Sequence, residues 1–272
     1  MKNKMKLFGI IAIAAVIGFS MAACDDNSSN SVGGPTNLGD TPTLSGKVYV
    51  EKWVEDNDDW SFDGYEDYAG DALEVSVSGW GGSFSGGGGG MGPGGDSRGP
   101  GLNEKGIIEN GQFSFTLGTP KSKYLDSADD MKKELFYYYE NVNISPSSAK
   151  FFIINSLKID SSGYYRLSRE NTKVNYSGTS MSGTKEGVSY VYADKDCTIS
   201  GKGFTDSWEY EDDEDGVIYT NTLISKNLNL ALKAGWNAVY HKWTEVDTPT
   251  KYTETITISL GNLSSLKWVL ID

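Results

Sequence analysis

The chain holds one histidine and two cysteines in 272 residues. A zinc centre takes three or four nitrogen or sulfur ligands, so multi-histidine and four-cysteine sites are excluded by counting. A framework of several disulfides is excluded in the same way. Basic residues are also few: 24 Lys and Arg face 37 Asp and Glu, for a net charge of −13. Such a balance repels phosphate backbones, and no nucleic-acid partner is expected. Long helical patterns are scarce, whereas Gly numbers 33 and aromatics reach 12%. That composition points to an all-β fold with enough chain for one large or two small cores.

The N-terminus is basic and then apolar. Lys2, Lys4 and Lys6 precede an apolar run over 7–19, broken only by Gly9 and Gly18. Thirteen residues are too few for the roughly 20 of a spanning helix and suit a secretory leader over 1–23. The run ends in Ser20-Met21-Ala22-Ala23-Cys24. Small residues directly before a cysteine resemble the lipobox of bacterial lipoproteins, with Met21 in place of the usual leucine. The resemblance implies that Cys24 is the first mature residue and carries palmitate-type acyl chains. It implies a protein held on a membrane by lipid in the cell envelope, at the outer membrane or cell surface. Residues 24–43 are polar and rich in Gly, Pro, Ser and Asn, and read as a flexible tether.

Strand patterns begin at Leu44. Leu73, Val75 and Val77 alternate with Glu74, Ser76 and Ser78. Asn110-Gly111 marks a tight turn, after which Phe113, Phe115 and Leu117 alternate with Ser114 and Thr116. The succession of Ser45–Val50, Leu73–Gly79 and Asn110–Leu117 resembles secreted β-sandwich modules of transthyretin-like type. Residues 79–101 contain 13 glycines and read as a loop excursion without a core. The GxGxxG at Gly90 to Gly95 lies in this run with no helix after it, so it fails the context of a dinucleotide site. One helix is expected over 126–139, capped by Asp126 or Ser127, with Met131, Leu135 and Tyr138 at helical spacing. Residues 149–160 read as a buried strand, and 164–175 as a link or edge. From Lys173 onward the pattern is a meander with strands near 188–200, 204–210, 217–225, 228–243, 252–260 and 266–271. Residues 228–240 and 265–268 resemble a signature of uncharacterised β-rich lipoproteins of spirochaetes and similar bacteria. The expected architecture is therefore two β-sandwich or barrel-like modules, 44–168 and 169–272. A boundary near 165–172 separates them, unless the two run together as one continuous sandwich.

Two acidic stretches stand out. Asp59, Ser61, Asp63 and Asp67 place oxygens at positions 1, 3, 5 and 9 of a loop with Gly64 at position 6. This resembles a calcium loop of EF-hand type, but Gly70 stands where the bidentate glutamate belongs. Weak calcium binding there is the only cofactor expectation. Glu211 to Asp215, before Gly216, reads as a hairpin tip. Trp53, Trp60 and Trp80 are candidates to stack on a ligand, and Trp236 and Trp268 are core candidates. Catalytic signals are thin. Cys197 reads as a buried small residue, His241 as structural, and Ser147 to Lys150 has SxxK spacing without its companion motifs. The expectation is a non-catalytic binding module for a glycan or protein ligand. The alternatives are a structural or antigenic surface lipoprotein, and a secreted hydrolase with an unrecognised carboxylate site.

Overall fold

The computed structural model describes residues 37–56, 59–77, 105–159, 166–177, 179–211, 218–261 and 263–271. The leader, Cys24, the tether up to residue 36, the glycine-rich run and 212–216 of the second acidic stretch lie outside them. In chain order the strands are β1 (Asn37–Gly39), β2 (Thr43–Asp56), β3 (Asp59–Asp67), β4 (Leu73–Ser76), β5 (Lys105–Glu109), β6 (Gln112–Thr116) and β7 (Asp126–Ser127). A single α-helix among the described residues, α1 (Ala128–Leu135), follows. Then come β8 (Glu140–Ser145), β9 (Lys150–Ile154), β10 (Leu157–Ile159), β11 (Arg166–Ser177), β12 (Ser180–Ala193) and β13 (Cys197–Lys202). The last six are β14 (Thr205–Glu211), β15 (Ile218–Ser225), β16 (Leu228–Leu232), β17 (Gly235–Thr248), β18 (Lys251–Ser259) and β19 (Lys267–Ile271). The fold is all-β, with one large mixed sheet and a small sheet in the order β16-β13-β8.

Local chemistry sets several of these elements. Asn110 and Gly111 take φ of 53° and 69°, so both central residues of the β5–β6 turn are left-handed, as a two-residue hairpin demands. The alternation that follows buries Phe113, Phe115 and Leu117 and leaves Ser114 and Thr116 outside. A Cβ on Gly111 would also fall 2.7 Å from the Tyr68 carbonyl oxygen. Gly111→Ala should therefore cost about 1–3 kcal/mol, read as a lower urea midpoint. An unchanged midpoint would show that the turn relaxes freely. At α1, the Asp130 amide donates to Ser127 Oγ at 3.2 Å and the Ser127 amide donates back to Asp130 Oδ2 at 3.4 Å. This capping box fixes the start, and Met131 and Leu135 bury the apolar side.

The large sheet curls on itself. Its order runs β10-β4-β5-β6-β2-β19-β11, and β10 also pairs with β11, so seven strands close a ring. Val48, Val75, Ile108, Phe115, Leu157, Leu167, Trp268 and Leu270 belong to the core associated with these strands. A second core lies on the opposite face of β12 and β17, where Val191, Ala193 and Val239 meet α1, β9 and the small sheet. Strands from either side of the expected boundary interleave: β19 sits between β2, which it joins in parallel, and β11. Residues 33–272 form one compact unit.

Three segments differ from expectation. Residues 37–39 of the tether form β1 and pair with β17. Residues 166–175 of the supposed link at 164–175 lie within β11, an interior strand flanked by β19 and then by β12. Its polar sequence hid this, because Ser168, Glu170 and Asn171 are buried side chains. The C-terminal meander is interrupted: β13 and β16 leave for the small sheet, and β15 runs parallel to β18.

Candidate functional site

Beyond the two cores the large sheet continues outward through β11, β12, β17, β18, β15 and β14. In this outer part no residue of 172–177, 180–187, 242–248, 251–255, 218–224 or 205–211 is buried. Its apolar side chains are at most half-buried, and of these Leu223 and Trp243 lean on the second core. What stabilises it are cross-strand side-chain pairs and residues that suit a pleated surface, chiefly Thr, Tyr and Trp.

The pairing register assigns its two faces. One row on the first face runs Met181, Asp247, Tyr252, Asn221 and Trp208 across five strands. The next row inward runs Gly183, Glu245, Glu254, Leu223 and Asp206. Tyr210 and Tyr219 pair beyond them, with rings stacked at 5.2 Å and 13°. Trp208 is 48% exposed and Tyr210 49%. This face is aromatic and acidic. The other face carries hydroxyls: Thr184, Thr244, Thr255 and Thr205 share one row with Ile224, and Ser182, Thr253, Thr222 and Ser207 share the next with Val246.

Electrostatics mark the first face. Among the described residues no Lys or Arg forms an ion pair with Glu245, Asp247 or Glu254. Burial and then Glu245 raise the Glu254 carboxyl above the ordinary range. Burial, followed by Glu245, Glu254 and Asp247, pushes the Tyr252 hydroxyl up to about 12. Tyr137 and Tyr138, just after α1, lie with ring centroids 3.8 Å apart and planes tilted by 39°, and Tyr137 is 64% exposed. Burial, the Tyr138 hydrogen bond and Glu254 all raise the Tyr137 hydroxyl. The face thus presents flat rings beside carboxylates held without counter-charges. It can stack on apolar ring faces and accept hydrogen bonds from hydroxyl or ammonium groups.

The sites expected from sequence fall elsewhere. Asp59, Ser61, Asp63 and Asp67 lie along the extended strand β3, paired with β2, and not in a loop. Eight steps of about 3.3 Å separate Asp59 from Asp67, too far for one coordination sphere. Asp67 accepts from Lys47 at 2.6 Å and Asp63 pairs with Lys52. Gly64, with φ of 108°, stands beside the register shift between Lys52 and Trp53. Trp53 is 49% exposed and meets Phe62 edge-on at 5.6 Å. Trp80 lies outside the described residues.

The reactive side chains are occupied by the core. Cys197 is buried in β13, and burial with Asp194 and Asp196 pushes its thiol up to about 11. A thiol held protonated is a poor nucleophile. His241 is not at a strand end but inside β17, 7% exposed, with its Nε2 2.8 Å from Ser189 Oγ. Ser189 Oγ donates its one hydrogen to Asn155 Oδ1 at 2.6 Å, so His241 Nε2–H is the donor to Ser189. A histidine that donates to the serine cannot also withdraw its proton. Lys150 lies at the start of β9 and Ser147 is exposed in the preceding turn.

Glu186, half-buried, centres a second polar cluster. It accepts from Tyr240 at 2.5 Å and from Asn171 at 3.2 Å. Burial pushes its carboxyl up, and these bonds together with Lys242 and Lys173 outweigh burial and hold it below the ordinary range. This is a satisfied structural network on the face opposite His241.

Sequence reading did not single out Trp208, Tyr210, Tyr252 or Tyr137. The alternation Trp208-Glu209-Tyr210-Glu211 reads like a half-buried strand, and it is the structure that leaves its aromatic face uncovered. Set against protein-family models, curated proteins and solved structures, the chain matches none.

Proposed function

We propose that the chain is a lipid-anchored cell-envelope protein that acts as a non-catalytic binding module, with the outer sheet as its contact surface. One observation carries the binding role: the outer segments of six strands run on past the cores with no buried residue, and one of their faces is aromatic and acidic. A sheet that encloses no core of its own gains from contact with something else. Exposed Trp208 and Tyr210 and the half-buried Tyr252, beside uncompensated carboxylates, suit a glycan, whose ring faces stack and whose hydroxyls donate, or a protein ligand. The anchor rests on Cys24 and the run before it. Acyl chains contribute about 0.8 kcal/mol for each buried CH₂, so two or more hold a soluble domain on a membrane.

Both parts can be tested on one set of cells. An alkyne fatty acid should label the protein, and Cys24→Ser should abolish the label and release the protein from the membrane fraction. Retained label would refute the anchor. Protease added to intact cells should degrade the protein if the sheet faces outward; survival until the outer layer is broken would place it in the periplasm. The purified protein should bind glycans or envelope proteins on an array. Trp208→Ala and Tyr252→Ala should weaken that binding about tenfold, within the range of a lost aromatic contact, at an unchanged melting temperature. No binding across the array, or binding that ignores both substitutions, would refute the contact surface.

A further inference from the structure

β14 ends the large sheet. It pairs with β15 on one side and with no described strand on the other. All seven of its residues are exposed, which holds for no other described strand. An open strand edge presents a row of backbone N–H and C=O groups to any extended chain that comes alongside.

Charge decides which chain. β14 reads Thr-Asp-Ser-Trp-Glu-Tyr-Glu, with three acids and no base, and four further acids follow in 212–215. The β14 strand of a second copy would bring as many carboxylates again and no cation to the same ladder. The acids therefore guard this edge against self-pairing. The same acids favour a cationic occupant. We infer that the outer edge of β14 accepts an extended Lys- or Arg-bearing peptide segment as an added strand. The inference rests on the binding reading above and names the partner for its most exposed strand.

Both faces of such a strand find complementary groups. Ser207, Glu209 and Glu211 share one face and Asp206, Trp208 and Tyr210 the other. A lysine or arginine on the first face meets carboxylates. One on the second meets Asp206 and the exposed rings of Trp208 and Tyr210, whose faces attract cations. Tyr210 is braced by its stack on Tyr219, so the ring is ordered before the partner arrives. Backbone bonds supply the pairing and charge supplies the selection.

The probe is a synthetic nonapeptide of alternating Lys and Thr, titrated calorimetrically into the full chain in detergent. Amide exchange is followed at residues 205–211. Binding should protect those amides and should weaken at least about tenfold in the Glu209→Lys/Glu211→Lys double variant. It should weaken again when salt is raised from low to about 0.3 M. Both substituted residues are exposed, and an unchanged urea midpoint confirms that the variant folds. The same peptide N-methylated at alternate residues keeps its charge and loses its donors, and should not bind. Equal binding by the N-methylated peptide, protection elsewhere in the chain, or no binding at millimolar peptide overturns the inference. Protection of 205–211 that grows with protein concentration alone also overturns it, since the occupant is then a second copy. If the peptide is silent while an array glycan binds and Trp208→Ala abolishes that binding, the partner named here is wrong and the binding module stands.

Discussion

Trp236→Ala should lower the unfolding free energy by about 3–5 kcal/mol, the range for deleting a large buried aromatic side chain. Trp236 is fully buried near the start of β17. Its ring meets Tyr192 at 5.6 Å and Phe152 at 6.3 Å, both edge-on. Its Nε1–H donates to the Gly118 carbonyl at 3.0 Å, which ties β17 to the segment after β6. Alanine leaves a cavity among these rings and removes the Nε1–H hydrogen bond. A domain of this kind has about 5–15 kcal/mol in all, so the variant should be soluble but marginal, with a urea midpoint well below that of the wild type. Trp236→Phe keeps most of the volume and loses the hydrogen bond, and should cost about a third as much. If alanine costs less than about 1 kcal/mol, the two walls of the core collapse onto each other, and the ring is filling space rather than joining strands.

The second large effect depends on pH. Burial holds the His241 imidazole down at about 4, against an ordinary value of 6.5. Between those values the unfolded chain binds a proton here that the folded chain refuses. Stability contributed by this residue is therefore present above pH 6.5 and is lost as pH falls toward 4. The full window corresponds to roughly 3 kcal/mol. Glu134 acts in the opposite sense. Burial, with Asp126 and Asp130, holds its carboxyl up at about 7. The folded chain takes that proton more readily than the unfolded one, so its contribution rises as pH falls from 7 toward 4.5. The bare pH profile thus mixes two signs, and the informative quantity is the difference between wild type and His241→Gln. Glutamine stays neutral and can still donate to Ser189. Its disadvantage measured in urea at pH 7 should shrink by roughly 3 kcal/mol on going to pH 4. A difference that does not change with pH would mean that His241 protonates as easily folded as unfolded.

The legible parts of the sequence were those where one local rule decided the structure. Asn110-Gly111 could form only a tight hairpin, and Leu73, Val75 and Val77 could point only one way. A cap at Asp126 or Ser127 marked a helix start, and the structure selects Ser127, although α1 ends at Leu135, earlier than the spacing suggested. Where side chains interact across strands, local rules failed. β11 looks like a surface segment because Glu170 and Asn171 are polar, yet the strands on either side enclose them. Residues 228–243 look like one long strand, but Gly235 takes φ of 95° and sends β16 and β17 into different sheets. The calcium spacing was real as spacing and empty as geometry, since a loop's alternate positions are also one face of a strand. The candidate surface was hidden for a related reason. Trp208 and Tyr252 are 44 positions apart in sequence, and only the parallel pairing of β15 with β18 sets them in one row. Nothing in a single segment encodes that neighbour relation.

The placement of β19 has a consequence for how the molecule is made. Trp268 Nε1 donates to the Ser45 carbonyl across 223 positions of chain, and β19 fills the gap between β2 and β11. A polypeptide that emerges from its N-terminus offers β2 long before the strand that completes it exists. The ring stays open along that seam until the final stretch arrives, and contacts of such separation form slowly. A product cut short by even a few residues would keep the seam unzipped, with two raw strand margins on display, and would be marked for disposal by that exposure alone.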